Sequence, residues 1–249
     1  MTAVGKIVVV GATGLIGTKV VDILTANGQQ VLPASRSTGV DLLTGDGLAE
    51  ALRGARVVVD VTDSPSYEDA ALMDFFTTST ANLLAAGRAA EVAHHVALSV
   101  VGADRMPDSG YMRAKVAQES GIVASGVAYT ILRATQFYEF ATGITDSCAD
   151  GDIVRVPAAL IQPIAGTEVA AKLAAIATRA AANSVVELGG PQYLPFEEFI
   201  RVACAHYADT RTVVTDPHAR YFGTALQERT LVTDVVGGRI RFADWLAGR

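Results

Sequence analysis

A chain of 249 residues, half of them apolar, has enough hydrophobic material for the core of one α/β domain. Its net charge of -6 and the lack of any Lys/Arg run exclude non-specific nucleic-acid binding and an anionic membrane surface as partners. Two cysteines, Cys148 and Cys204, lie far apart without metal-ligand spacing and read as free thiols rather than a disulfide or a metal site.

From Met1 the chain runs straight into a strand. The apolar stretch after Lys6 is too short for a signal peptide, and no apolar run approaches the ~20 residues of a membrane span, so the expected compartment is the cytoplasm. Lys6-Ile7-Val8-Val9-Val10 is a β-branched run, the pattern of a strand buried on both faces. Val20, Val21, Ile23 and Leu24 form an apolar helical stripe that Asn27-Gly28 closes. Strands are expected from Gln30 to Ala34, over Val40-Asp41-Leu42, from Arg56 to Val61, from Val96 to Val101 and from Val127 to Leu132. Helices are expected from Gly47 to Leu52, Tyr67 to Arg88 and Tyr111 to Ala124. This alternation implies a Rossmann-type, doubly wound parallel sheet. Beyond Gln136 come a helix from Gly166 to Arg179, a strand from Val185 to Leu188 and a helix from Phe196 to Tyr207, read as a substrate-side lobe of one domain.

Gly11-Ala12-Thr13-Gly14-Leu15-Ile16-Gly17 follows a buried strand and opens a helix, the context in which such a loop binds a dinucleotide. Gly11 permits the tight turn, Gly14 lets the backbone approach the pyrophosphate, and Gly17 lets helix and strand pack closely. The helix N-terminus offers N–H groups and partial positive charge to the phosphates, and Thr13 offers a hydroxyl. The second strand ends in Ala34-Ser35-Arg36-Ser37, without the carboxylate that holds the ribose in NAD sites. Arg36, assisted by Ser35 and Ser37, suits a 2′-phosphate, so NADP is expected over NAD. Asp41 and Leu42 are expected near the adenine.

Ser99 ends a strand, and Tyr111 and Lys115 follow one helical turn apart on one face. A phenol, with a reference pKa of about 10, is a reluctant acid near neutral pH, and a nearby ammonium lowers that value. This trio suits carbonyl chemistry. Tyr111 protonates the developing alkoxide, Lys115 binds the nicotinamide ribose and tunes Tyr111, and Ser99 holds the substrate oxygen.

Four segments together resemble the short-chain dehydrogenase/reductase superfamily, most closely its atypical NmrA-like, NAD(P)H-binding group. They are the glycine loop with Val10, Asp60-Val61-Thr62, Tyr111-Met112-Arg113-Ala114-Lys115, and Tyr129-Thr130-Ile131-Leu132-Arg133-Ala134-Thr135-Gln136-Phe137. The resemblance runs from Lys6 to about Gly190. It implies a Rossmann-type fold with the nucleotide at the strand C-termini. It places Thr62 and Ser64 beside the adenosine ribose and pyrophosphate, Leu98 and Ser99 beside the nicotinamide ribose, and Ala134, Thr135 and Phe137 beside the nicotinamide. After the fourth strand the superfamily's Asn-Ala-Gly turn is replaced by Thr62-Asp63-Ser64-Pro65, and Asn82 is a stand-in for the active-site Asn. Related isoflavone-reductase-like proteins keep the Lys and often lack the Tyr, which makes Lys115 the firmer of the pair. Some NmrA-like proteins bind the nucleotide without turnover as redox sensors.

The expected function is therefore NADP(H)-dependent reduction of a carbonyl or quinone-like group on a small, aromatic substrate, by a monomer or homodimer. The alternatives are a non-catalytic NADP(H) sensor and a redox-neutral epimerase or dehydratase that retains the nucleotide. His94-His95 is not expected to bind metal, because neighbours in a strand point to opposite faces. His206 and His218 read as surface residues. The loop from Asp104 to Gly110 reads as a lid or a plain surface loop. Phe137-Tyr138-Glu139-Phe140, after the sixth strand, faces a substrate or packs on the C-terminal lobe, and Trp245 is expected in the core of an anchoring helix.

Overall fold

The computed structural model describes residues 5–248; Met1, with the rest of residues 1–4, and Arg249 lie outside the described residues. In chain order the elements are β1 (Lys6–Val10), α1 (Leu15–Ala26), β2 (Val31–Ala34), α2 (Leu48–Leu52), β3 (Ala55–Asp60), α3 (Asp69–Ala89), β4 (His94–Val100), α4 (Gly110–Ala124) and β5 (Tyr129–Ala134). There follow α5 (Ala141–Ser147), β6 (Ala149–Asp150), β7 (Ile153–Val156), β8 (Leu160–Ile161), α6 (Gly166–Ala177), β9 (Ser184–Leu188), β10 (Leu194–Pro195), α7 (Phe196–His206), β11 (Thr212–Thr215) and α8 (Phe242–Ala247). Six strands form a parallel sheet in the order β2-β1-β3-β4-β5-β9. The order reverses between β1 and β3, where open α/β sheets bind ligands. Among the described residues no helix is long and apolar enough to cross a membrane.

The chain divides into two compact units. The first comprises residues 1–99, 114–133 and 167–186, and the second residues 100–113, 134–166 and 187–249.

In the first unit β1 pairs with β2 and β3 in parallel, Val8 lying opposite both Leu32 and Val58. Residues 7–10 are essentially inaccessible, as a β-branched run predicts for a central strand. One face packs Val8, Val10 and Val58 against Leu48, Leu52 and Leu83. Pro33 lies on the outermost strand, where its missing N–H breaks no ladder.

Residues 40–42 form no strand. Asp41 Oδ1 accepts the backbone N–H groups of Leu43 (2.7 Å) and Thr44 (3.3 Å), a local turn that outcompetes extended pairing. Asn82 donates through Nδ2 to the carbonyls of Leu42 (2.8 Å) and Leu43 (3.0 Å), so it ties down this turn instead of standing in for a reacting Asn. The strand count shifts accordingly: residues 62–65 follow the third strand and residues 137–140 the fifth. His94 and His95 lie inside β4, both buried, rather than ahead of it.

The second unit holds a two-stranded sheet (β10-β8) and a three-stranded one (β11-β7-β6). Its core is aromatic. Tyr138 meets Phe242 at 4.9 Å, Phe199 meets Phe242 at 4.7 Å, and the Tyr138 hydroxyl donates to the Ile240 carbonyl at 2.8 Å. Tyr138 thus packs onto C-terminal chain, the second of the two roles open to the 137–140 cluster. Trp245 is only half-buried, because Phe242 and Leu246 take the inward positions of α8. Nor is the segment after β4 a free lid. Arg105 donates to the carbonyls of Thr230 (2.9 Å) and Val232 (3.2 Å), and Met106 is inaccessible.

Candidate functional site

The glycine loop sits at the C-terminal end of β1. Gly11 has φ +78°, and a Cβ there would meet the Val61 carbonyl oxygen at 2.8 Å, so the loop lies against the chain leaving β3. A Cβ on Gly17 would fall 2.1 Å from the Gly11 carbonyl oxygen; only glycine allows α1 this close to the strand. Gly14 caps α1 in extended backbone, no side chain caps the helix, and its first turn carries no acidic residue. An uncapped twelve-residue helix entered through backbone alone fits a pyrophosphate. Thr13 is exposed beside it, whereas Ile16 is buried and Leu15 half-buried.

Beyond β2, Arg36 opens a single 3-10 turn, Arg36–Thr38, and is exposed. Ser35 and Thr38 bond each other reciprocally as a capping box, and the Ser35 and Ser37 hydroxyls lie 2.8 Å apart. The serines therefore shape the turn that presents Arg36. Asp41 is engaged in its own turn, and the Leu42 side chain belongs to the core cluster beneath the sheet.

Around the end of β3 a chain of buried polar groups runs to α4. Asp60 Oδ1 accepts the Thr62 hydroxyl (2.7 Å) and backbone N–H (3.0 Å). Its Oδ2 accepts Gln118 Nε2 at 2.9 Å. Gln118 Oε1 in turn accepts the Lys115 ammonium. Lys115 Nζ also donates to the Leu98 carbonyl (2.9 Å) and lies 4.5 Å from the centre of the Phe76 ring. Lys115 is 3% exposed; burial pulls its ammonium below the ordinary lysine range, while Asp60, Asp63 and Glu119 act in the opposite direction. Next to Leu98, the buried Ser99 hydroxyl has no hydrogen-bond partner among the described residues. Ser64 is buried too, its Oγ accepting the Ser66 N–H at 3.2 Å.

Thus the first unit itself holds the glycine loop, Thr62, Leu98 and Ser99 at its strand ends, with Lys115 on α4. Tyr111, Ala134, Thr135 and Phe137 belong to the second unit. There Tyr111 is half-buried and stacked on Phe222, the Thr135 hydroxyl is buried without a partner among the described residues, and Phe137 stacks on Phe140 at 5.5 Å. Ala134 is buried and its carbonyl accepts the Val101 N–H at 2.9 Å. Asp60, Gln118 and Phe76 are the site's unpredicted members. Two signals pointed to them: a carboxylate closing a β-branched strand, and the i, i+3 spacing of Lys115 and Gln118.

His95 is buried near this chain. Burial lowers its pKa, the charge of Asp60 opposes that shift, and His94 adds to it; burial also lowers the pKa of His94. Both imidazoles therefore take up protons less readily in the folded chain than in the unfolded one, which takes them up below pH ~6.5. The contribution to stability is full above that value and falls as pH drops below it. The urea midpoint should decline from pH 7 to pH 5 and decline less in His95→Gln; equal slopes would remove His95 from the account.

The sequence profile of the NAD(P)H-binding family matches residues 11–180. The photosystem II assembly factor Ycf39 of Cyanophora paradoxa is 26% identical over 148 residues, covering 54% of this chain and 46% of the relative, so the chain matches about half of that protein's length. Among solved structures, the UDP-glucose 4-epimerase of Thermus thermophilus in complex with NAD superposes with a TM-score of 0.69 at 17% identity over 91% of each chain. An NADPH-dependent quinone oxidoreductase of Escherichia coli superposes with a TM-score of 0.66 at 17% identity, over 97% of this chain and 98% of the other. At such identities the structural likeness is one of fold.

Proposed function

As the chain belongs to the NAD(P)H-binding family, we propose that it is an NADP(H)-dependent oxidoreductase that reduces a carbonyl or quinone-like group on a small aromatic molecule. We place it in the cytoplasm as a monomer or homodimer, with neither nucleic acid nor membrane as partner. The observation that carries the reading is α4, which bears Tyr111 and Lys115 one turn apart and ties Lys115 Nζ to the Leu98 carbonyl, next to the unpartnered Ser99 hydroxyl. Gly11, Gly14 and Gly17 would hold the pyrophosphate, and Arg36 the 2′-phosphate. When bound, NADPH supplies the hydride. Tyr111 supplies the proton that the reduced oxygen needs, and Ser99 orients that oxygen. Lys115 sets positive charge beneath the ribose.

The test joins binding to turnover. Wild type should prefer NADPH to NADH in calorimetric titration, and Arg36→Ala should erase that preference. Tyr111→Phe should bind NADPH as wild type does but lose at least about 100-fold in turnover across a carbonyl and quinone panel. Unchanged turnover removes Tyr111 from its role. A non-catalytic sensor is the second reading, favoured by one observation: the Lys115 ammonium is already committed to Leu98, Gln118 and the Phe76 face. It predicts NADPH binding without cofactor oxidation by any member of the panel.

A further inference from the structure

Tyr221 and Thr224 exchange backbone hydrogen bonds in both directions, N–H to carbonyl at 2.9 and 3.1 Å, and so close a two-residue turn on Phe222 and Gly223. Both turn residues are left-handed, with φ +49° and +78°. That is the backbone of a type I′ turn, in which the first position favours Asn or Gly because a bulky side chain is strained there. The turn nevertheless carries a phenylalanine, 46% exposed. Burial cannot account for a large apolar ring kept both strained and half in water.

The ring is held in place. Tyr221, 2% exposed, sits edge-on to it at 4.7 Å and 85°, and is itself braced by Phe196 at 5.4 Å. Arg220 Nη1 donates to the Gly223 carbonyl at 2.9 Å, fixing the far side of the turn. So oriented, Phe222 lies stacked on the ring of Tyr111, centroids 6.0 Å apart and planes 26° from parallel.

We propose that Tyr111 and Phe222 form an aromatic platform that binds a flat, conjugated carbonyl compound, a quinone or aryl ketone, through its ring face. The proposal rests on the reductase reading, in which Tyr111 serves the substrate oxygen, and it adds the substrate's planarity and the residue that selects for it. A conjugated ring extends the stack at no cost in rotatable bonds, whereas a saturated ring of the same size cannot lie flush against it.

The test is equilibrium binding of 1,4-naphthoquinone and of its saturated bicyclic diketone analogue to wild type, Phe222→Asn, Phe222→Leu and Tyr111→Phe. Asn suits the turn better than Phe does, so Phe222→Asn should melt no lower than wild type. It should raise the Kd for the quinone about fivefold, the loss of one aromatic stack, and leave the saturated analogue unchanged. Phe222→Leu should fall between, and Tyr111→Phe, which keeps the ring, should still favour the quinone over its saturated analogue. Equal quinone affinity in wild type and Phe222→Asn overturns the platform, as does no saturable binding of the quinone to wild type. Because the readout is binding, a Tyr111→Phe variant with undiminished turnover would sink the proton-donor role and leave the platform standing.

Discussion

Gly17→Ala should lose about 3 kcal/mol of stability and bind NADPH at least about tenfold more weakly. The added methyl would sit 2.1 Å from the Gly11 carbonyl oxygen and 2.8 Å from the Ala12 Cα, and both neighbours are backbone, so no side chain can swing aside. The first turn of α1 must therefore retreat from β1, taking with it the N–H groups that would face the phosphates. Gly14→Ala is the informative partner. Its Cβ meets only the Gly11 oxygen, at 3.3 Å, and Gly14 has an extended backbone that alanine accepts. It should cost no more than about 1 kcal/mol, the penalty of an alanine cap, yet still obstruct the approach of a pyrophosphate. Urea unfolding and calorimetric titration of both variants separate the two roles. If Gly14→Ala binds NADPH like wild type, the phosphates do not sit where the loop suggests.

Lys115→Met is the second large effect. Methionine fills the volume of the lysine stem and keeps contact with Phe76, but it offers no donor to Leu98 or Gln118. Asp60, 2% exposed, then has no cation at the end of its hydrogen-bonded chain. Removing one partner from such a buried network should cost about 3 kcal/mol, and turnover should fall at least about 100-fold. Asp60→Asn in the same background should recover part of the stability, because no buried charge is then left uncompensated, while turnover stays lost. If the double variant is no more stable than Lys115→Met, Asp60 and Lys115 are not coupled through Gln118.

The first unit was legible where two requirements coincide in one segment. Residues 6–24 combine a β-branched run, glycines at fixed spacing and a helical stripe, and each is found in its expected place. Residues 40–42 misled because two apolar residues around an Asp fit a strand as well as a turn; the Asp41 carboxylate decided between them. The Tyr111–Lys115 spacing was visible, but the partners of Lys115 were not. Asp60 and Gln118 are 58 residues apart and meet only through the sheet. The second unit was hardest, since its strands are two to four residues long, too short for alternation to show. Phe222-Gly223 was invisible for the opposite reason: the turn uses a residue that turn chemistry disfavours.

The make-up of the two units sets an order in time. All of the first unit's chain has been made once synthesis passes residue 186, whereas the second draws its last segment from residues 187–249. At about 5–20 residues per second, that segment takes roughly 3–13 s to appear. Until Thr230 and Val232 have been made, Arg105 has neither carbonyl to grip, and residues 100–113 wait on a ribosome-bound chain without their fastening. A nascent protein arrested in this window would be open to protease around residues 102–106 while its β1-to-α1 half was already closed.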